Sequence, residues 1–192
     1  KKTKNALVIL AGGTGERFNK KLPKQFNEIN GTNLIDFFLN RIDTSNFDKI
    51  LIVHKNHHFR YIKNLKIAFP KIDFLFVNAG KNRQLSSLNA LKKLNPFKPK
   101  NVLIHDAARP HFSTKLLINL INSLKKNKAS VPVVSSKDSI KYKINDQLFN
   151  LSKENSYLTQ TPQAFRFNDL YNLSIKQKNI IQDEATLFIE ND

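Results

Sequence analysis

The stretch that most constrains the fold is residues 6–26, with the sequence ALVILAGGTGERFNKKLPKQF. Residues 6–10 form a short apolar run rich in branched side chains, which predicts a strand buried on both faces of a parallel sheet. The glycines that follow at once, Gly12, Gly13 and Gly15, allow positive φ angles and a close approach of the backbone to a ligand. Because backbone N–H groups in such a turn bind anionic oxygens, the stretch predicts a cradle for a polyphosphate.

The spacing of these glycines excludes two common phosphate-binding motifs. The chain contains no G-x-x-x-x-G-K-[ST] string, and the G-x-G-x-x-G fingerprint fails at Phe18. What remains is G-G-x-G-x-R followed by P-K-Q-F, in which Arg17 and Lys24 supply positive charge beside the backbone amides. The glycine turn by itself also fits an ordinary strand-to-helix connection. Together with the basic residues at this spacing, it favours phosphate binding.

Charge and composition narrow the class of protein. The 32 basic and 15 acidic residues give a net charge of +17, which favours anionic partners, nucleic acid among them. The basic residues are spread along the chain and no nucleic-acid-binding module is recognisable, so we expect no specific nucleic-acid partner. The absence of cysteine excludes disulfides and cysteine-ligated metal sites. Without a transmembrane-length apolar run or a signal-peptide core, we expect a cytoplasmic protein with no membrane contact.

Strands and helices alternate over the first two thirds of the sequence. This alternation predicts an α/β fold, with right-handed crossovers and a parallel sheet covered by helices on both faces. No linker-like composition divides the chain, so residues 1–192 are expected to form a single domain. The predicted strands are residues 6–10, 47–54, 73–77, 101–105 and 129–134, and the predicted helices are residues 33–42, 57–69, 84–94 and 113–126.

The alternation ends at residue 135. From there to residue 151 apolar and polar residues alternate around Asn145-Asp146, which predicts a β-arm, about residues 136–156, built as a long hairpin. The chain then returns to the body through TQTPQAFR at residues 159–166, and two helices are predicted at residues 168–178 and 183–190.

Polar and glycine-rich loops follow three of the predicted strands. They are residues 12–17, 79–83 and 106–110. In open α/β sheets ligands bind beyond the carboxyl ends of the strands. The three loops are therefore expected to converge on one binding site at that edge of the sheet.

Five motifs occur in order along the chain: LAGGTGERF, PKQF, a G-x-x-R-x-x-S pattern from Gly80 to Ser86, HDAARP and QTPQAFR. In these motifs the chain closely resembles the cytidylyltransferases that act on 2-C-methyl-D-erythritol 4-phosphate in isoprenoid precursor synthesis. The resemblance implies a Rossmann-like nucleotide-diphospho-sugar transferase fold with a protruding β-arm. It also implies that CTP and the polyol phosphate are joined to 4-diphosphocytidyl-2-C-methyl-D-erythritol with release of pyrophosphate, that Mg²⁺ is the cofactor, and that a homodimer forms through the arm.

The resemblance implies a role for each residue that matches a family motif. Arg17 and Lys24 match the catalytic basic pair, with Lys24 bridging the α-phosphate and the leaving group. Asp106 is the candidate Mg²⁺ ligand. The expected nucleotide-binding residues are Leu10, Ala11, Gly12, Gly13, Gly15, Gly80, Arg83, Ser86 and Asp106, and the expected substrate-binding residues are Asp106, Arg109, Ser139 and Lys153.

Some of these roles have plainer alternatives. Asp106 and Arg109 also fit an ion pair that only ties down their loop. Ser139 and Lys153, which stand where the family usually has threonine and arginine, also fit solvated residues of the arm.

Departures from the family pattern keep other functions open. Residues 10–13 read Leu-Ala-Gly-Gly, whereas this branch usually has Pro-Ala-Ala-Gly. The Leu-Ala-Gly-Gly version is commoner in ribitol 5-phosphate cytidylyltransferases. A pentitol phosphate cytidylyltransferase is therefore the nearest alternative, and a catalytically silent nucleotide-binding module or a basic nucleic-acid-binding domain are more distant ones. The family continues past residue 192 with an N-x-K segment, so we expect the C-terminal end of the domain to be missing and leave open that the chain is part of a longer or bifunctional protein.

Overall fold

The computed structural model describes residues 4–13, 23–29 and 31–191. In chain order the strands are β1 (Asn5–Leu10), β2 (Glu28–Ile29), β3 (Thr32–Asn33), β4 (Lys49–His54), β5 (Phe74–Asn78), β6 (Asn101–Asp106), β7 (Ala129–Ser130), β8 (Val133–Ser135), β9 (Ile140–Ile144), β10 (Gln147–Leu151), β11 (Tyr157–Thr159) and β12 (Gln163–Arg166). The α-helices are α1 (Leu34–Arg41), α2 (Phe59–Ile62), α3 (Leu65–Ala68), α4 (Arg83–Leu94), α5 (Thr114–Ser123), α6 (Phe167–Lys176) and α7 (Ala185–Ile189). Within the described ranges, every helix is too short or too polar to span a bilayer.

The main sheet carries the fold. Among the described residues it contains six strands in the order β5-β4-β1-β6-β12-β7. The pairs β4–β5, β1–β4 and β1–β6 are parallel, with Leu7 of the central strand opposite Ile50 on one side and Leu103 on the other. Parallel strands require crossover connections, and the helices supply them. The predicted α/β fold with a mostly parallel sheet is confirmed.

Side chains of β1 alternate between two buried layers, one on each face of the sheet. Leu7 and Ile9 pack in one cluster with residues of α1 and α5, and Ala6 and Val8 pack in another with residues of α4 and α6. All four are fully buried. Because burial of one Leu or Ile side chain contributes about 1.5–3 kcal/mol, this central strand is a strong anchor for the loop that follows it. Helices on both faces were predicted and are present.

The predicted helix at residues 57–69 is wrong as a single element. A short 3₁₀ turn, Asn56–His58, leads into α2, and α3 follows after a break at Lys63 and Asn64. Asparagine favours turns over helix interiors because its side chain competes for backbone hydrogen bonds. The break still allows Ile62 and Leu65, on either side of it, to be buried.

The predicted fifth parallel strand, residues 129–134, is also wrong as a continuous strand. Its first part is β7 at the edge of the main sheet, and its second part, β8, pairs antiparallel with β11 in a separate ribbon. Pro132 lies between them and has no N–H to donate to a ladder. The strand β12 is inserted antiparallel between β6 and β7, a position that the sequence pattern did not predict.

The predicted hairpin is present at β9 and β10, which pair antiparallel. Asn145 and Asp146 at its tip have φ angles of 45° and 66°, the left-handed conformation that a tight two-residue hairpin turn requires. The rings of Tyr142 and Phe149 stack across the two strands with centroids 5.4 Å apart. We call residues 136–156 the arm.

Candidate active site

A cleft of about 620 Å³ lies at the carboxyl ends of β1, β5 and β6. It is the meeting point expected for the loops that follow these strands. Four of its side chains are cationic, and among the described residues that line it a single carboxylate is present. The lining residues are Leu10, Gly12, Gly13, Lys55, Gly80, Lys81, Asn82, Arg83, Ser86, Asp106, Ala108 and Arg109.

The glycine loop packs closely against the end of β5. A Cβ atom added at Gly12 would lie only 2.4 Å from the Cβ atom of Ala79, so no larger residue fits there without a shift. Ala11 is fully buried and does not line the cleft, and its N–H donates to the carbonyl oxygen of Val53 at 2.8 Å. The loop is therefore fixed to the sheet on one side while Gly12 and Gly13 face the cleft.

The loop from Gly80 to Ser86 is held by hydrogen bonds of its own. The N–H of Gly80 donates to Ser86 Oγ at 3.0 Å, and this hydroxyl donates to the carbonyl oxygen of Asn82 at 2.7 Å. Asn82 also caps α4, because its side-chain oxygen accepts the N–H of Leu85 at 2.8 Å. A Cβ atom at Gly80 would lie 2.5 Å from the Cβ atom of Leu85. Glycine is thus required at position 80, because a side chain there would clash with Leu85 in the first turn of α4.

Asp106 lies between two arginines. Its Oδ1 is 3.3 Å from Arg83 Nε, and its Oδ2 is 3.5 Å from Arg109 Nε. Arg83 also reaches the buried Glu184, with Nη1 2.7 Å from Oε2. Burial by itself would lower the pKa of Arg83, but the carboxylates of Glu184 and Asp106 together raise it above its ordinary value. The guanidinium therefore stays charged at the cleft.

Arg109 and His105 complete the loop after β6. Arg109 Nη1 donates to Gln160 Oε1 at 3.1 Å, which connects this loop to the segment before β12. His105 is fully buried, stacks on Phe38 with centroids 4.9 Å apart and lies 3.1 Å from Thr161 Oγ1 through Nδ1. Burial lowers the pKa of His105 to about 4. It is therefore a packed, neutral side chain at neutral pH.

Several predicted residues are not among the described residues that line this cleft. Arg17 and Gly15 fall outside the described residues. Lys24 begins a short 3₁₀ helix, Lys24–Phe26, and its side chain is exposed. Ser139 and Lys153 belong to the arm and do not line the cleft; Ser139 Oγ accepts from Lys141 Nζ at 2.6 Å, and Lys153 donates to the carbonyl of Lys137. Their functional roles remain predictions.

Four lining residues were not among the predicted site residues. Lys55 directly follows β4, Lys81 and Asn82 lie in the loop after β5, and Ala108 lies in the loop after β6. Their positions after strand ends were a usable signal for all four. The contact of Glu184 with Arg83 had no such signal, because the two residues are 101 positions apart.

The described residues of the cleft offer Mg²⁺ one carboxylate, Asp106. Within the described residues no group of three His, Asp or Glu side chains is placed to hold a metal, so this part of the chain supplies no complete set of protein ligands. Mg²⁺ is commonly held by one or two carboxylates together with waters and substrate phosphates. Asp106, about a quarter exposed at the cleft, suits that arrangement.

The electrostatics of the cleft favour a polyanion. Among the described lining residues, the cations Lys55, Lys81, Arg83 and Arg109 outnumber the one carboxylate, and the backbone of Gly12 and Gly13 is available where β1 ends. Arginine can bind phosphate oxygens through two parallel N–H groups and lysine as a point charge. This combination suits a nucleotide triphosphate better than a neutral ligand.

Comparisons with known proteins show the family of this chain. The family model of 2-C-methyl-D-erythritol 4-phosphate cytidylyltransferase (IspD) matches residues 5–190. A bifunctional enzyme IspD/IspF from Pelagibacter ubique is 40% identical over 186 residues, covering 96% of this chain but 49% of that protein. A 2-C-methyl-D-erythritol 4-phosphate cytidylyltransferase from Clostridium beijerinckii is 37% identical over 190 residues, covering 95% of this chain and 83% of that protein.

Solved structures give the same result. The crystal structure of 4-diphosphocytidyl-2C-methyl-D-erythritol synthase from Anaerococcus prevotii superposes with a TM-score of 0.85 at 28% identity, covering 98% of this chain and 82% of that one. The bifunctional IspDF from Campylobacter jejuni superposes with a TM-score of 0.78 at 25% identity, covering 98% of this chain and 47% of that one. The predicted fold and family are both confirmed, and the chain belongs to the 2-C-methyl-D-erythritol 4-phosphate cytidylyltransferase family.

Proposed function

We propose that the protein joins CTP to 2-C-methyl-D-erythritol 4-phosphate, giving 4-diphosphocytidyl-2-C-methyl-D-erythritol and pyrophosphate. The observation that carries the proposal is the cleft at the ends of β1, β5 and β6, whose described lining combines four cationic side chains and one carboxylate with Gly12 and Gly13. The residues that line this cleft lie within residues 5–190, the part of the chain that the family model matches.

The reaction needs positioning and charge stabilisation rather than a covalent intermediate. A phosphate oxygen of the polyol phosphate attacks the α-phosphorus of CTP in line, and the bond to pyrophosphate breaks. Negative charge builds on the transferring group and on the leaving group. Fixed cations that contact those oxygens lower the barrier. We assign this role to Arg17 and Lys24, with Lys24 bridging the α-phosphate and the departing pyrophosphate.

The nucleotide would lie along the ends of β1 and β5. Leu10 and the glycine loop, including Gly15, would hold the triphosphate, and Ala11, whose N–H is bonded to Val53, would fix the loop from behind. Gly80 and Ser86 would contact the cytosine and ribose, and Arg83 would bind from the first turn of α4. Hydrogen bonds to the base edge would select CTP, since a site with buried polar groups rejects ligands that leave them unpaired.

The polyol phosphate would bind beside Asp106 and Arg109. We propose that Ser139 and Lys153 also bind the phosphate group of this substrate. Because neither of these arm residues lines the cleft of its own chain, a second copy of the chain would have to bring them to it. A homodimer through the arm therefore accounts for their distance from the cleft.

The arm has a face suited to such a contact. In the register of β9 and β10, Tyr142 lies opposite Phe149, and Ile140 lies opposite Leu151, so these apolar side chains share one face. Tyr142 and Phe149 are each about 40% exposed, at 43% and 39%. An exposed apolar hairpin face of this kind is typical of an interaction surface.

Mg²⁺ is the proposed cofactor, and Asp106 is the residue that would hold it beside the triphosphate. When bound, it would neutralise phosphate charge and favour departure of pyrophosphate. We further propose that residues 1–192 act as one nucleotidyltransferase domain with the arm at about residues 136–156, and that the reaction takes place in the cytoplasm, where CTP is available.

The test is pyrophosphate release from CTP and Mg²⁺, with 2-C-methyl-D-erythritol 4-phosphate and ribitol 5-phosphate compared in parallel. Release with the first substrate alone is expected. Release with ribitol 5-phosphate alone would favour the alternative that the Leu-Ala-Gly-Gly sequence at residues 10–13 suggests. No release with either, while CTP raises the melting temperature, would favour a silent nucleotide-binding module. Equal thermal shifts with all four nucleotides would count against the proposal.

A further inference from the structure

Arg83 is anchored by an acid that lies outside the lining of the cleft. Its Nη1 is 2.7 Å from Oε2 of Glu184, a residue that is only 2% exposed. A buried carboxylate is costly unless a cation and hydrogen bonds compensate for the lost water. Among the described residues, the Arg83 guanidinium is the cation that pairs with Glu184, so separation of this pair would be strongly unfavourable.

The second acid near Arg83 makes the looser contact. Asp106 Oδ1 is 3.3 Å from Arg83 Nε, compared with 2.7 Å for the bond to Glu184. The side chain of Asp106 is also 27% exposed. Because a guanidinium carries five N–H donors, Arg83 can stay on Glu184 and still donate to a ligand. Asp106 meanwhile keeps only long contacts and can turn toward the cleft.

The backbone around Glu184 is fixed to α4 independently of this ion pair. Gln84, the residue after Arg83, donates from Nε2 to the carbonyl oxygen of Asn179 at 3.0 Å, and its Oε1 accepts the N–H of Ile181 at 3.2 Å. Asp183 accepts from Gln163 Nε2 at 2.9 Å. The segment that carries Glu184 is therefore bound to the first turn of α4 and to β12, so its carboxylate has a defined place relative to the cleft.

We infer that Glu184 is a positioning residue for the nucleotide: its buried carboxylate holds the Arg83 guanidinium at the cleft and prevents Arg83 from pairing fully with Asp106. Without that charge, Asp106 is the remaining carboxylate beside Arg83, and a closer Arg83–Asp106 pair would withdraw both groups from a ligand. The inference rests on the proposed function, because the ligand it names is CTP.

The isosteric variant Glu184→Gln tests it. We expect the KM for CTP to rise about tenfold, as for the loss of one charge-assisted contact, and the KM for the polyol phosphate to rise less, because Asp106 is the one group of the Arg83–Asp106 pair that this substrate would contact. Calorimetric titration with CTP alone should show the same weakening. Glu190→Gln is the matched control, since Glu190 is an exposed acid directly after α7, and it should behave as wild type. Glu184→Asp, which keeps the charge, should recover part of the affinity.

A double-mutant cycle separates positioning from general destabilisation. Arg83→Ala alone should weaken CTP binding, and adding Glu184→Gln to it should weaken binding no further, because Glu184 acts through Arg83. The double variant removes both charges of the pair, so it leaves no unpaired buried charge and remains testable if Glu184→Gln alone does not fold. A double variant that binds CTP more weakly than Arg83→Ala would overturn the inference.

Two further results would also overturn it. One is wild-type CTP affinity in Glu184→Gln, and the other is an equal rise in both KM values together with a lower melting temperature. Failure of the proposed function looks different: the wild-type protein would then release no pyrophosphate with either polyol phosphate. The titrations with CTP alone would still decide the role of Glu184 in that case, because they require no turnover.

Discussion

The side-chain amide of Gln25 lies 2.8 Å from the carbonyl oxygen of Gly13, and its Nε2 donates to the carbonyl of Ala11 at the same distance. Gln25 is 4% exposed, so both N–H groups of one buried amide are used on the glycine loop. In a trans peptide the N–H points opposite to the carbonyl. With the Ala11 carbonyl held toward Gln25, the N–H of Gly12 points away from it. Gln25 of the P-K-Q-F motif thus fixes the direction of the Gly12 N–H in the glycine loop.

Gln25→Glu is expected to weaken this orientation. The substitution keeps the shape but places a carboxylate against two carbonyl oxygens, so the free energy of unfolding should fall by about 1–3 kcal/mol, and the Kd for CTP should rise. Urea unfolding and calorimetric titration measure the two effects. Asn27→Asp makes the same change two residues later, where the amide contacts Pro23 and Lys24 carbonyls at 3.4 and 3.3 Å, and it should leave CTP binding intact. Wild-type CTP affinity in Gln25→Glu would contradict this role.

Lys24→Ala should lower kcat by roughly 10²–10³-fold, because a fixed cation that contacts transition-state charge is worth on the order of 3–4 kcal/mol. Its side chain is exposed, so the melting temperature should change little. Arg17→Ala should behave in the same way. Steady-state pyrophosphate release measures the effect. Lys126→Ala is the control, because Lys126 is also an exposed lysine. Normal turnover in Lys24→Ala would remove this residue from the catalytic pair.

Stability should fall as the pH is lowered from 6.5 toward 4, in part through His58. Burial, followed by the positive neighbours His57 and Lys55, lowers the pKa of His58 to about 4. The unfolded chain takes up this proton near pH 6.5 and the folded protein near pH 4. The unfolded state therefore binds more protons between these two pH values. As the pH is lowered through this window, the free energy of unfolding decreases, by at most about 1.4 kcal/mol per pH unit for one group.

Urea unfolding at pH 7, 5.5 and 4.5 tests this dependence. His58→Gln should give a flatter profile than wild type, although it also loses the ring contact with Phe26, whose centroid lies 5.1 Å away. His111 is exposed, so His111→Gln should keep the wild-type slope. An unchanged slope in His58→Gln would show that other groups carry the pH dependence.

The arm offers a matched pair of substitutions for the proposed homodimer. Phe149 lies opposite Tyr142 on the apolar face, whereas Leu148 lies opposite Lys143 on the other face. Phe149→Lys should therefore shift the protein to monomer in sedimentation velocity, and Leu148→Lys should leave the dimer intact even though Leu148 is 70% exposed. Wild-type protein that sediments only as monomer would contradict the dimer. Equal effects of the two variants would contradict the assignment of the face.

The local elements of this fold could be predicted because their signals are local. The apolar run of β1, the capping residue Asn33 before α1 and the turn at Asn145 and Asp146 each depend on neighbouring side chains. Sheet topology then places the ends of parallel strands at one edge. This is why the loops after β1, β5 and β6 were expected together, and the structure places them around one cleft.

Two wrong predictions show the limit of local signals. The run at residues 129–134 has the composition of one strand, but Pro132 and the insertion of β12 divide it between two sheets. Helical periodicity at residues 57–69 did not reveal the break at Asn64, because Ile62 and Leu65 are buried on both sides of it.

The sequence by itself determined the family, the α/β layers and the residue types at the cleft, since apolar periodicity and motif spacing are properties of neighbouring positions. Only the tertiary structure decided that Gln25 holds the glycine loop and that Glu184, 101 residues away, holds Arg83. Buried polar groups must find partners wherever packing brings them. Which partner each buried polar group finds depends on which distant segments meet in the fold, and no local sequence pattern predicts it.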